Sequence, residues 1–121
     1  MDKVSIIVRT CGRPEVLRGA LESIRKQTYP DVETVVIEDG LEISRQMICT
    51  EYSDLQLRYI STGKRVGRAK AGNLGMKVAQ GKYLNFLDDD DVLYPEHIEI
   101  LLQTLQSAEE KAVYSVAEEA A

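Results

Sequence analysis

The sequence has few of the features on which small secreted proteins and membrane proteins depend. It contains two cysteines, three prolines and no tryptophan in 121 residues. Cys11 and Cys49 are too far apart for a C-x-x-C pair, and no secretory leader precedes them, so we expect reduced thiols. No apolar run approaches the roughly 18 to 20 residues that span a bilayer. We therefore expect a soluble, cytoplasmic domain without a transmembrane segment, which in a longer protein lies at the cytoplasmic face of a membrane.

An excess of basic charge is also absent. The chain has 15 Lys and Arg against 20 Asp and Glu, which gives a net charge of −5. A general attraction to nucleic acid or to anionic lipid is therefore not expected. Lys64, Arg65, Arg68 and Lys70 form the one local basic cluster. The apolar content of 44% is that of a globular protein, and the length predicts a single domain over residues 1–121.

The hydrophobic pattern alternates between short apolar runs and amphipathic segments. The predicted strands cover residues 4–8, 32–37, 55–59 and 83–87. The predicted helices follow Pro14, cover residues 41–52, follow Gly67 and begin at Pro95. Gly81 is the predicted C-cap of the third helix. Residues 112–116 are a candidate fifth strand.

Four alternations of strand and helix predict βαβ units. The expected fold is α/β and Rossmann-like, with a mostly parallel sheet flanked by helices and the strand order 3-2-1-4. In such sheets, ligands bind outside the carboxyl ends of the strands, where the strand order reverses. The polar segments that follow the predicted strands, residues 9–12, 38–40, 63–68 and 88–91, are therefore expected to line one crevice.

The acid run Asp88-Asp89-Asp90-Asp91 directly follows the fourth predicted strand. Four adjacent carboxylates repel one another unless a cation or hydrogen-bond donors neutralise them. One interpretation is negative charge placed before a helix N-terminus. A calcium loop fits poorly, because Val92 occupies the third ligand position and no glycine follows. We favour a divalent metal that carries a phosphate, with Asp88 and Asp90 pointing the same way.

Asp39 lies where dinucleotide-binding domains keep the acid that binds a ribose hydroxyl. The first strand is followed by one glycine, Gly12, instead of G-x-G-x-x-G, so a dehydrogenase is disfavoured. A nucleoside contact and a structural role in the turn both stay open for Asp39. Likewise, Arg68 and Lys70 either pair with a diphosphate or form the solvated side of a helix start.

Four segments together resemble a known family. They are residues 4–10 (VSIIVRT), 36–40 (VIEDG), 67–75 (GRAKAGNLG) and 81–91 (GKYLNFLDDDD), the last followed by Pro95-Glu96. In this order they resemble the nucleotide-binding half of the family 2 glycosyltransferases, which have an A-type glycosyltransferase fold. The resemblance covers almost the whole chain.

The resemblance implies a site and a reaction. The implied donor-binding residues are Thr10, Cys11, Asp39, Arg68, Lys70, Asp88 and Asp89. Asp90 is the first choice as a ligand of Mn²⁺ or Mg²⁺, and Asp88 is the second. The implied reaction is inverting transfer of a sugar from a nucleotide-diphosphate donor, with a UDP-sugar expected, to a hydroxyl of a carbohydrate or lipid-linked acceptor.

The resemblance implies a different role for each segment of the donor site. Thr10 and Cys11 are expected beside the nucleobase, and Asp39 is expected to contact a uracil-type ring. The segment from Asp88 to Asp90 is expected to hold the ribose and the metal.

The chain departs from the family pattern in two respects. Many relatives carry an arginine where this chain has Gly72, so the diphosphate contact is expected at Arg68 or Lys70. The family's acceptor-binding half and catalytic base lie downstream of the matching segment, so we nominate no catalytic residue and expect a domain truncated before that half. Two alternatives remain: a non-catalytic module that binds nucleotide or metal, and a sugar nucleotidyltransferase. The second lacks the expected glycine-rich loop after the first strand.

Overall fold

The structure is a computed structural model that describes residues 2–107 and 118–119. Its strands are β1 (Val4–Thr10), β2 (Val32–Glu38), β3 (Leu57–Ser61), β4 (Tyr83–Asp88), β5 (Asp91–Val92) and β6 (Glu118–Glu119). Its helices are α1 (Pro14–Arg25), α2 (Arg45–Glu51), α3 (Arg68–Val78) and α4 (His97–Ser107). Within these residues, no helix is both long enough and apolar enough to cross a bilayer.

The first four strands form one parallel sheet in the order β3-β2-β1-β4, which confirms the predicted order. At its centre, Val8 of β1 is in register with Val36 of β2 and Leu87 of β4. β5 and β6 form a separate two-residue antiparallel pair. The candidate strand at residues 112–116 lies outside the described residues.

Helices cover both faces of the sheet because its strands are apolar on both sides. Alternate residues of a strand point to opposite faces. Ile6 and Val8 therefore pack in the core shared with α1, α2 and α4, whereas Ile7 packs with Ala71 of α3. Both clusters are fully buried at their centres. The result is three layers, in which α3 alone among the described helices packs on its side of the sheet.

Two glycines let the α3 segment approach β1 closely. A Cβ atom at Gly75 would lie 2.5 Å from Ile7 Cγ2, and one at Gly81 would lie 2.6 Å from the Ser5 backbone nitrogen. The prediction of Gly81 as a helix C-cap was wrong, since α3 ends in extended backbone at Ala79. Gly81 is instead required by its contact with β1.

Several element boundaries differ from the prediction, and β1, β2 and β4 end one or two residues later than predicted. α2 spans Arg45–Glu51 instead of residues 41–52, because a turn follows Gly40, whose φ is +131°. β3 spans Leu57–Ser61 instead of residues 55–59, because the Leu55 amide donates back to the Tyr52 carbonyl in a turn. α4 begins at His97, two residues after Pro95.

The close contact at Gly75 predicts a specific loss of stability. Gly75→Ala should lower the free energy of unfolding by about 1 to 3 kcal/mol, because the added methyl overlaps Ile7 and must displace α3. Urea denaturation measures the loss.

The matched control is Gly19→Ala in α1, where the new Cβ would lie 4.0 Å from Val92 Cγ1. That variant should be neutral or more stable by up to about 1 kcal/mol, since alanine is the better helix former. Equal midpoints and slopes for both variants would show that Gly75 does not limit the helix–sheet spacing.

Candidate functional site

The carboxyl ends of β1, β2 and β4 open into one crevice of about 250 Å³. Its lining residues are Arg9, Thr10, Cys11, Arg13, Asp39, Arg65, Arg68, Ala71, Asp88, Asp89 and Asp90. The expected gathering of polar segments at this edge is therefore present. Lys70 lies exposed on α3 and is not among the lining residues, so a phosphate contact by Lys70 stays a prediction.

Asp88 ends β4 between two guanidinium groups. Its Oδ1 accepts a hydrogen bond from Arg9 Nη2 at 3.2 Å, and its Oδ2 is paired with Arg68 Nη2. Charge-assisted pairs of this kind are among the stronger hydrogen bonds in proteins. Two arginines from different segments thus neutralise the first acid of the run.

Asp89 is the buried member of the acid run, with 2% of its surface exposed. Thr10 Oγ1 donates to its Oδ2 at 2.8 Å, and Arg13 binds both carboxylate oxygens through Nε and Nη2. The hydrogen bond to Asp89 and the charge on that carboxylate raise the pKa of Arg13. These contacts attach the loop after β1 to the acid run, and a donor contact by Asp89 stays a prediction.

Asp88, Asp90 and Asp91 form a candidate metal centre. Each offers one carboxylate oxygen, and these atoms lie within 4.8 Å of one another. Hard oxygen ligands suit Mg²⁺ and Mn²⁺. The D-x-D spacing predicted the first two, but not Asp91, which joins them because the chain turns at residues 89–90 before β5.

Asp39 orders the loop between β3 and α3. It is 7% exposed, its Oδ1 accepts from the Val66 amide at 2.7 Å, and its Oδ2 accepts from the Gly67 amide at 3.1 Å. The structural role that the sequence left open is therefore present. A carboxylate can accept about four hydrogen bonds, so these contacts leave capacity for a ligand. The contact with a nucleobase stays a prediction.

Glu38, which the sequence analysis did not single out, is fully buried at the end of β2. It accepts hydrogen bonds from the Gly12 amide at 3.1 Å, from the Ser44 amide at 2.8 Å, from the Ser44 hydroxyl and from the Tyr59 hydroxyl. Burial and the neighbouring Glu38 raise the pKa of Tyr59. The sequence signal that could have identified Glu38 is an acidic residue at the end of an apolar strand. Glu38 joins the segments that follow β1 and β2 to β3.

Arg9 lies in a segment that was expected to line the crevice, but the sequence analysis gave it no role. Its guanidinium lies 5.4 Å from the centroid of the Phe86 ring and reaches Asp88 in the crevice. An arginine in an otherwise apolar run was the available signal. Cys11 and Cys49 are exposed free thiols, and Cys11 lines the crevice.

Comparison with known proteins identifies relatives of this chain. The sequence model of a family described as Glycosyl transferase family 2 matches residues 5–119. Glycosyltransferase GlyG of Streptococcus pneumoniae is 30% identical over 114 residues, which are 93% of this chain and 38% of GlyG. This chain therefore spans well under half the length of that relative.

Two proteins of known structure have a fold similar to that of this chain. Residues 1–349 of Staphylococcus aureus TarS, solved with UDP-GlcNAc, match with a TM-score of 0.78 and 27% identity over 86% of this chain and 31% of that one. The mannosyltransferase PcManGT of Pyrobaculum calidifontis, solved with GDP-Man and Mn²⁺, matches with a TM-score of 0.80 and 22% identity over 89% of this chain and 33% of that one. At 22% identity, the match to PcManGT shows only that the two folds are similar.

The buried Glu38 yields a stability prediction. Glu38→Gln should lower the free energy of unfolding by about 1 to 3 kcal/mol, because an amide nitrogen would face groups that donate hydrogen bonds. Chemical denaturation measures the change.

Glu42→Gln is the matched control, since Glu42 is an exposed residue whose side chain pairs with Arg45. This substitution should leave the free energy of unfolding close to that of the wild type, because an exposed ion pair contributes little. The interpretation of Glu38 fails if the two substitutions destabilise the protein equally.

Proposed function

Because the chain belongs to glycosyl transferase family 2, we propose that it binds a nucleotide-diphosphate sugar together with Mg²⁺ or Mn²⁺. The donor proposed first is a UDP-sugar, and the reaction is inverting transfer to an acceptor hydroxyl. The observation that carries the proposal is the crevice itself. It places four arginines and four aspartates at the carboxyl ends of parallel strands, which is where α/β proteins bind nucleotides.

The acid run fits a divalent cation that is shared with a phosphate. Mg²⁺ prefers one or two carboxylates and completes its shell with water and substrate oxygens. Asp88 and Asp90 would supply the protein ligands, with Asp91 near enough to assist. A bound cation would stabilise the negative charge of the departing diphosphate.

The basic side of the crevice fits the donor's phosphates. Arg65 and Arg68 line it from the loop after β3 and from the start of α3. The side chain of Arg68 is 67% exposed, so its guanidinium has room to turn from Asp88 to a phosphate. We assign Arg68 to the diphosphate on this basis.

The nucleoside end is proposed at Asp39 and at the loop that follows β1. Asp39 would accept a hydrogen bond from a uracil-type ring, and Thr10 and Cys11 would lie beside it. The similarity to TarS, solved with UDP-GlcNAc, supports a uridine nucleotide. The acceptor is proposed to be a carbohydrate or a lipid-linked acceptor. The proposed activity of the whole protein is supported by the same family membership.

A thermal-shift panel tests the proposed donor and metal. UDP or UDP-GlcNAc with Mn²⁺ or Mg²⁺ should raise the melting temperature more than nucleotide or metal alone, because each ligand completes the site of the other. Ligand at 100 times its Kd should add about 2.7 kcal/mol of stability. If no uridine or guanosine nucleotide shifts the transition with either metal, the proposal is wrong.

Asp90 carries the metal prediction. Asp90→Asn should reduce Mn²⁺-dependent UDP binding at least tenfold, because the amide has lost the charge that the cation requires, while the exposed position leaves folding intact. Isothermal titration calorimetry measures the affinities for UDP and for Mn²⁺.

Asp54→Asn is the control, since Asp54 is an exposed carboxylate paired with Arg25 away from the crevice. It should bind UDP and Mn²⁺ as the wild type does. Unchanged binding by the Asp90 variant would remove Asp90 from the metal site.

A further inference from the structure

Arg9 is a charged residue placed on the central strand of the sheet. It follows Ser5 and Ile7 on the face of β1 that packs against the α3 segment, and its side chain is 24% exposed. Its Nη2 contacts Asp88, but its Nε is buried and has no hydrogen-bond partner. No other side-chain nitrogen or oxygen of the described residues is in this condition. The guanidinium therefore has unused hydrogen-bonding capacity at the edge of the crevice.

Gly72 provides the space that Arg9 occupies. A Cβ atom at position 72 would lie 3.6 Å from Arg9 Nη1, 3.7 Å from Arg9 Cδ and 3.6 Å from Phe86 Cε1. A longer side chain there would have to displace the arginine or the ring. Arg9 thus reaches from β1 into the space beside α3 that Gly72 leaves open.

Arg9 and Arg68 cannot both keep their hydrogen bonds to Asp88 once a cation binds there. A divalent ion at Asp88 and Asp90 would repel the guanidinium groups of Arg9 and Arg68 and compete with them for the same oxygens. The donor's diphosphate brings negative charge into the same place. A phosphate is a suitable new partner, since guanidinium binds phosphate oxygens through two parallel N–H groups.

We propose that Arg9 is a phosphate-binding residue of the donor site. Its guanidinium pairs with Asp88 in this structure and with a phosphate oxygen when nucleotide and metal are present, so that Asp88 becomes available as a metal ligand. This inference rests on the proposed function. Arg9 would be a second phosphate contact besides Arg68 and would come from β1. The sequence motifs did not suggest it.

Binding measurements with three probes test the role of Arg9. The probes are UDP in the presence of Mn²⁺, uridine, and Mn²⁺ alone, titrated into the wild type and Arg9→Gln. The variant should bind UDP about tenfold to one hundredfold more weakly, the range expected for one charge-assisted hydrogen-bond pair. Uridine affinity should change less than about twofold. Mn²⁺ alone should bind equally or more tightly, because Asp88 has lost a competing cation.

Two further variants complete the test. Arg18→Gln, which removes an exposed arginine paired with Glu51, should match the wild type for all three probes. Arg9→Gln/Gly72→Arg places a guanidinium in the same space from α3 and should recover at least part of the UDP affinity. If Arg9→Gln does not fold, Arg9→Lys keeps the charge without the paired donors and should still bind UDP at least severalfold more weakly.

The outcomes separate this inference from the proposed function. A wild type that binds no UDP with Mn²⁺ overturns the proposed function, and the role of Arg9 with it. Wild-type binding of UDP together with equal affinity in the folded Arg9 variants overturns the inference alone. A parallel loss of UDP, uridine and Mn²⁺ binding would show that Arg9 is only structural, which also overturns it.

Discussion

The pairing of the acid run with arginines is the interaction on which the site depends. Arg9 and Arg68 contact Asp88, and Arg13 contacts Asp89. These arginines come from the central strand, the loop after it and the start of α3. Because each contact joins segments distant in sequence, the neutralisation of adjacent carboxylates also fixes the walls of the crevice. The charged groups of the proposed donor and metal site are thereby held together by contacts within the protein.

A second constraint is the distance between α3 and β1. Gly75 and Gly81 allow the backbone to approach Ile7 and Ser5, and the same approach at Gly72 leaves room for Arg9. The glycines that permit this close packing therefore have a consequence for chemistry. They determine which strand residue reaches the crevice beside the helix start. Packing and charge placement are two results of one geometric feature.

Much of the fold followed from hydrophobic periodicity. The four strands and their 3-2-1-4 order were predicted because apolar runs alternate with amphipathic segments, and parallel βαβ units permit few arrangements. Boundaries were less accurate at α2 and β3, where hydrogen bonds in turns override local pattern. In the site, Asp88, Asp90 and Asp39 were named because they lie at or just after predicted strand ends and because the family resemblance implies a role for each. Glu38 and Arg9 fall in segments expected at the crevice, but their contacts were not predicted because the partners come from other elements.

The sequence by itself determined the layered α/β architecture, the family, and the edge of the sheet where polar groups gather, since strand ends are readable from local pattern. Only the tertiary structure decided which acid pairs with which arginine, that Asp91 joins Asp88 and Asp90, and that Lys70 lies away from the lining. The physical reason is that a side chain's partner depends on strand register, helix spacing and turns. Those are set by packing between segments that are far apart along the chain.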